Sequence, residues 1–154
     1  YTLGIIGNRV KYILPAICFP KGWGVRDANT KKVEHKLRNS MEIIPVDNPL
    51  LNELVEVGVK TFEAVGASDV LRIDLKEDDE GNIYVIDVNG TPSLSKTSSM
   101  NYMASKIGVE HRQLVQMILY ESMLKFGLSP NFLFEELIGG LKIKFVKYES
   151  SEVA

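Results

Sequence analysis

The chain has 154 residues, 45% of them hydrophobic, enough for one domain with a sheltered core and too few for several. Its formal net charge of −2 leaves no basic excess to hold a phosphate backbone, so nucleic acid is not expected as a partner. One cysteine, Cys18, excludes an internal disulfide and suits a reducing, cytoplasmic setting, and no apolar run reaches the ~18 residues that cross a membrane.

Tyr1–Ile6 and Val10–Phe19 read as two strands of a hairpin joined at Gly7-Asn8. A strand-like start without an initiator Met or signal-peptide pattern reads as a piece of a longer protein. Pro20 to Lys36 shows neither helix nor strand period and reads as a long loop. Its Trp23, between Gly22 and Gly24, suits a lid over substrate or a surface loop without a role. Met41–Pro45 reads as a short strand. Asn48 before Pro49 caps a helix whose apolar face is Leu50, Leu51, Leu54, Val57, Phe62 and Val65, with Gly66 as its stop. Two strands over Val70–Asn89 come next. Ser99–Ile107 and Glu110–Phe126 then read as helices punctuated by Gly108 and Gly127, with Tyr102, Met103, Leu114 and Met117 as core. Pro130–Ile138 reads as a short helix, and Leu141, Ile143 and Phe145, alternating with Lys142 and Lys144, as an edge strand. Both histidines, His35 and His111, read as solvent-facing. The class is α+β.

The hairpin carries the chemistry. Residues two apart on a strand share a face, which groups Arg72 with Asp74 and Val85 with Asp87 and Asn89. With Lys76 opposite Ile83, Asp74 faces Val85 and Arg72 faces Asp87, so the four polar groups share one surface. Leu71, Ile73, Leu75, Tyr84, Ile86 and Val88 form a core layer on the other. Asp and Asn are depleted in strands, so their presence here needs a reason. Two carboxylates and an amide oxygen are hard ligands that suit Mg²⁺ or Mn²⁺. The plainer alternative is a solvated sheet face on which Arg72 neutralises its neighbours. A Ca²⁺-binding reading is weak, because Glu77–Asn82 lacks the ligand spacing of an EF-hand.

Arg72-Ile-Asp74, then Asp87-Val-Asn89-Gly-Thr-Pro92-Ser-Leu-Ser95, resembles the C-terminal lobe of the D-alanine–D-alanine ligase family within the ATP-grasp superfamily. The resemblance extends over residues 1–126, with Tyr1-Thr-Leu-Gly-Ile-Ile-Gly similar to the strand after the family's ATP hinge and Leu14-Pro15 to its next strand. It implies a mainly antiparallel sheet packed by helices on one face, with 127–154 as a C-terminal extension. It further implies ATP- and Mg²⁺-dependent joining of two amino acids through an acyl phosphate, as in peptidoglycan synthesis. Asp74, Asp87 and Asn89 would hold Mg²⁺ or Mn²⁺ against ATP phosphates. Arg72 and the Ser93 N–H would steady the transferring phosphoryl group and the oxyanion. Ser98 and the N–H of Ser99 would take the acceptor's carboxylate, and Ile86 would lie against adenine. Lys31, Lys32 and Lys36 are the candidates for the phosphate-contacting lysine, ordinary loop lysines being the other reading of each. Asp87 stands where the family usually has Glu, and its shorter arm suits one ion better than bridging two. Ser93 stands where the family has Gly.

Expected partners are therefore amino acids and ATP, with the N-terminal lobes of the same protein to close the nucleotide site, and the family hints at a homodimer. The 154 residues alone are expected to have little or no ligase activity. Two alternatives stay open: ATP-grasp chemistry on another acid–amine pair, and a binding module that keeps the fold without the chemistry.

Overall fold

The computed structural model describes residues 1–19 and 41–149. Lys31, Lys32, Lys36, His35 and the Trp23 stretch lie outside the described residues. The strands are β1 (Thr2–Gly7), β2 (Val10–Ile13), β3 (Ile17–Cys18), β4 (Glu42–Ile43), β5 (Asp69–Glu77), β6 (Ile83–Asn89) and β7 (Val146–Glu149). The helices are α1 (Pro49–Ala64), α2 (Ser99–Lys106), α3 (His111–Lys125) and α4 (Phe132–Lys142).

Every strand pairing among the described residues is antiparallel. Central β1 has β5 along the whole of one edge, and β2 and β3 end to end on the other. β6 lies outside β5, β7 outside β2 and β4 outside β3. The long second strand expected over Val10–Phe19 is thus two short ones. Pro15 lies in the break between them and has no N–H for a ladder.

Alternate residues of β1 enter two different cores. Leu3 and Ile5 join Leu71, Ile73 and Leu75 beneath Leu51, Leu54, Val55, Val59 and Phe62 of α1. Ile6 joins Leu14 and Ile17 beneath Met100, Met103, Leu114, Met117, Ile138 and Leu141 of α2, α3 and α4. The class and the antiparallel sheet agree with the sequence reading, but the helices expected on one face divide between both. A central strand buried on both faces loses the polar alternation that would have announced it.

Asn48 caps α1, its side chain accepting from the Leu50 N–H at 3.0 Å. Past the other end, Gly66 takes φ +63°, and the N–H groups of Gly66 and Ala67 bond back to the carbonyls of Glu63 and Phe62. The buried face of α1 includes Val55, Gly58 and Val59, whereas Val65, expected on it, is exposed.

The segment expected as an edge strand over Leu141–Phe145 is instead the end of α4 and a turn. The strand is β7, one step later, and Leu141 and Phe145 are core. Leu141 and Phe145, four apart, both reach the core across this turn, while Ile143 between them is exposed, so the period of two did not mark a strand. Lys142 fastens α4 to the body, its ammonium 2.9 Å from Glu121 and over the rings of Tyr12 and Tyr120, at 5.0 and 4.6 Å.

Gly58 lets α1 sit against β1. A Cβ there would lie 2.3 Å from Cδ2 of the fully buried Leu3. Helix propensity favours Gly58→Ala by about 1 kcal/mol, whereas overpacking a core costs about 1–3 kcal/mol. Gly58→Ala should therefore lower the urea midpoint with an unchanged slope.

Burial lowers the Lys142 pKa, but hydrogen bonds to Glu121 and Tyr12 outweigh it and raise it above the usual lysine value of 10.5. A raised folded value stabilises the fold at neutral pH and is lost as pH rises past the lysine range. Melting of the wild type should fall more steeply above pH 10.5 than that of Lys142→Met/Glu121→Leu, which removes both charges.

Candidate functional site

The β5–β6 hairpin turns on Asp78, whose Oδ1 accepts from the Glu80 and Asn82 N–H groups at 2.9 and 2.8 Å. Leaving this turn, Glu77 pairs with Ile83, Lys76 with Tyr84 and Leu75 with Val85. The ladder then shifts, Ile86 being passed over, so that Asp74 pairs with Asp87, Ile73 with Val88 and Arg72 with Asn89. The expected register, Lys76 with Ile83 and Arg72 with Asp87, is corrected on both sides of this bulge. Val85 also changes sides, to the face of Leu75. The grouping of the four polar residues survives, because the extra residue restores the parity that the turn had changed.

Two cross-strand rows result. Thr2, Asp74 and Asp87 form one, and Gly4, Arg72 and Asn89 the next. Thr2 Oγ1 donates to Asp74 Oδ1 at 2.7 Å. Arg72 Nη2 donates to Asp74 Oδ2 at 2.9 Å and lies 3.5 Å from Asp87 Oδ2. The Arg72 and Asp74 side chains are mostly buried, while that of Asp87 is 60% exposed. Asn89 Oδ1 accepts from the Thr91 N–H at 3.0 Å, bending the chain off the sheet.

A Cβ on Gly4 would meet Met100 Sδ at 2.9 Å and Met103 Cε at 3.1 Å, so the bare backbone beside Arg72 is where α2 lies down. Ser98, expected to bind a carboxylate, is the N-cap of α2 and accepts from the Asn101 N–H at 3.2 Å, which leaves its hydroxyl proton free to donate. Ser99 opens the helix, where the first amides have no intrahelical partner. Ser93 lies exposed in the connecting loop, its Oγ 3.2 Å from that of Ser95. His111, expected to face solvent, is half-buried and holds this loop, its Nε2 2.7 Å from the Leu94 carbonyl.

Ile86, at the bulge, is 51% exposed, and Tyr84 and Val88 are exposed with it. The core layer expected from both strands of the hairpin is therefore confined to Leu71, Ile73 and Leu75 of β5, with Ile83 of β6 partly packed against it. β6 is an edge strand with little above it, a property of topology and not of its own residues. Cys18 stays a half-buried thiol whose pKa burial pushes up.

Among the described residues no three His, Cys, Asp or Glu side chains group as a metal site. The hairpin set has two carboxylates and an amide oxygen, and it fits one hard cation. Asp87 is open to solvent, and the Asn89 carbonyl oxygen keeps a second lone pair. Arg72 Nε is buried and has no acceptor among the described residues. Sequence reasoning missed Thr2 and Gly4. A glycine inside an apolar strand does signal a close approach, but the partner is set by the tertiary structure.

The chain matches the family model "D-ala D-ala ligase C-terminus" over residues 1–120. It is 28% identical over 129 residues to the D-alanine–D-alanine ligase of Pelotomaculum thermopropionicum, covering 82% of this chain and 40% of the relative. It is 30% identical over 118 residues to that of Actinobacillus succinogenes, covering 77% and 37%. In fold it resembles the Bacillus anthracis D-alanine–D-alanine ligase solved in complex with ATP, with a TM-score of 0.62 at 19% identity, over 84% of this chain and 38% of that one. The chain thus spans about two fifths of the length of these relatives. With its antiparallel sheet, its hairpin and a family match over most of its residues, this chain belongs to the D-alanine–D-alanine ligase C-terminal family, a C-terminal ATP-grasp lobe.

Proposed function

We propose that the chain is the metal- and phosphate-binding half of an ATP-dependent ligase that joins two amino acids, D-alanine being the first to test. The observation that carries this reading is the pair of rows across β1, β5 and β6. They bring Arg72, Asp74, Asp87 and Asn89 to one surface of a chain whose relatives are such ligases. That a structure of similar fold was solved with ATP supports the nucleotide.

Joining a carboxylate to an amine is uphill in water, so the carboxylate is first activated as an acyl phosphate at the expense of ATP, and the amine then attacks the carbonyl carbon. Negative charge gathers on the phosphoryl oxygens and then on the tetrahedral oxygen. Asp74, Asp87 and Asn89 would hold Mg²⁺ or Mn²⁺, which when bound supplies charge neutralisation to the phosphates. Arg72 offers its unpaired Nε–H, and Ser93 its backbone N–H, to the developing oxyanion. The Ser98 hydroxyl and the Ser99 N–H at the head of α2 suit the acceptor carboxylate, where the helix dipole favours a negative charge. Ile86, exposed on β6, offers apolar surface to adenine.

This chain spans about two fifths of its relatives' length, and on this reading nucleotide closure and amino-acid choice depend on the remainder. The 154 residues alone should therefore release phosphate from ATP no faster with D-alanine than without. In the protein encoded by the full reading frame, D-alanine should stimulate release, and Asp74→Ala or Asn89→Ala should cut that by 100-fold or more, about 3 kcal/mol in barrier. Stimulation by other amino acids alone would redirect the substrate. Failure of the full-length protein to bind Mg²⁺–ATP at millimolar concentration would favour a module without chemistry, a reading that draws on Asp87, on Ser93 and on Arg72 spanning both carboxylates.

Removing the guanidinium strands the mostly buried Asp74 beside Asp87. Arg72→Met should cost about 1–3 kcal/mol, read from chemical denaturation, and added Mn²⁺ should restore part of the loss if the cation takes over the neutralisation.

A further inference from the structure

The cross-strand row at the site does not begin with a charged residue. It begins with Thr2, 1% exposed, on the strand next to β5 and directly opposite Asp74. A hydroxyl this deep needs a partner, and Thr2 Oγ1 spends its proton on Asp74 Oδ1 at 2.7 Å. The other oxygen, Oδ2, takes Arg72 Nη2 at 2.9 Å and is the one on the side of Asp87, since the same nitrogen lies 3.5 Å from Asp87 Oδ2. With one oxygen held from each side, the Asp74 carboxylate cannot rotate about its terminal bond without breaking a buried hydrogen bond.

We propose that Thr2 is a positioning residue for the cation site: its hydroxyl locks the Asp74 carboxylate so that Oδ2 stays turned toward Asp87. This rests on the reading of Asp74, Asp87 and Asn89 as cation ligands. Thr2 touches neither cation nor substrate and acts only through Asp74. A ligand carboxylate left to rotate loses affinity, and outer hydrogen-bond partners of this kind are worth about 10- to 100-fold in metal binding.

The test is direct titration of the 154-residue chain with Mn²⁺ alone, free Mn²⁺ being followed by electron paramagnetic resonance and folding by circular dichroism. Thr2→Val keeps the shape and removes the hydroxyl; it should weaken Mn²⁺ binding about tenfold or more. Thr2→Ser keeps the hydroxyl and drops a buried methyl, so it should bind Mn²⁺ like the wild type while melting earlier. Asp87→Asn should abolish binding. Wild-type affinity in folded Thr2→Val overturns the proposal and leaves the cation reading standing. Should Thr2→Val fail to fold, Thr2→Ala, which also lacks the hydroxyl, decides: wild-type affinity overturns the proposal, and binding weakened about tenfold while Thr2→Ser still binds like the wild type upholds it. A wild type that binds no Mn²⁺, or binds it no better than Asp87→Asn, overturns both.

Discussion

A regular ladder continued from the Asp78–Asn82 turn would seat Ile86 opposite Asp74 and Val88 opposite Arg72, and Asp87 and Asn89 of β6 would turn to the α1 side. One residue passed over at Ile86 prevents this. Side-chain direction alternates with a period of two, so a single extra residue inverts every position beyond it. The cost of the bulge is a disrupted stretch of ladder, which is easier to bear on β6 than elsewhere, since among the described residues no strand pairs with its outer side. The site thus depends on β6 being both bulged and at the edge. The same edge position leaves Tyr84, Val85, Ile86 and Val88 exposed.

Charge explains what the hairpin then needs. Asp74 and Asp87 both reach one Arg72 nitrogen, at 2.9 and 3.5 Å, so their nearer oxygens are within about 6.5 Å of each other, and two unit charges at that distance repel by about 2.5 kcal/mol at an effective dielectric of ~20. A guanidinium between them offsets this, and a divalent cation would do the same while freeing the guanidinium for another anion. One electrostatic demand therefore underlies both the salt-bridged surface and the proposed cation site, and Arg72, whose buried Nε has no partner among the described residues, is placed to serve either.

Two glycines decide how closely the helices frame this hairpin. Gly58 brings α1 onto Leu3 on one face, and Gly4 brings the first turn of α2, with Ser98 at its head, onto the other. The segment after Gly127 adds to the same body: Ile138, Leu141 and Phe145 complete the second core, and β7 extends the sheet beyond β2. Buried charges at its seam are paired, Lys142 with Glu121 there and Lys11 with Glu63 where β2 meets α1. Unpaired, either would be expensive to keep out of water.

Local signals were legible without coordinates wherever one residue's chemistry decides. Asn48-Pro49 starts α1, Gly66, Gly108 and Gly127 follow the ends of α1, α2 and α3, and the alternation of Arg72, Asp74, Asp87 and Asn89 places them on one surface, the candidate site. Choices that depend on a neighbour were not legible. The bulge at Ile86, the division of helices between two faces and the exposure of β6 follow from which strand lies beside which. Thr2 is an ordinary strand residue until β5 is laid against β1, and Gly4 an ordinary small one until α2 crosses it. Caps and turns are settled within four or five residues of backbone, so their composition announces them. Hairpin register is settled by a partner strand beyond the turn, and the partner of a buried hydroxyl by one far away in the chain, as with Thr2 and Asp74, 72 positions apart; both become definite only when the strands pair.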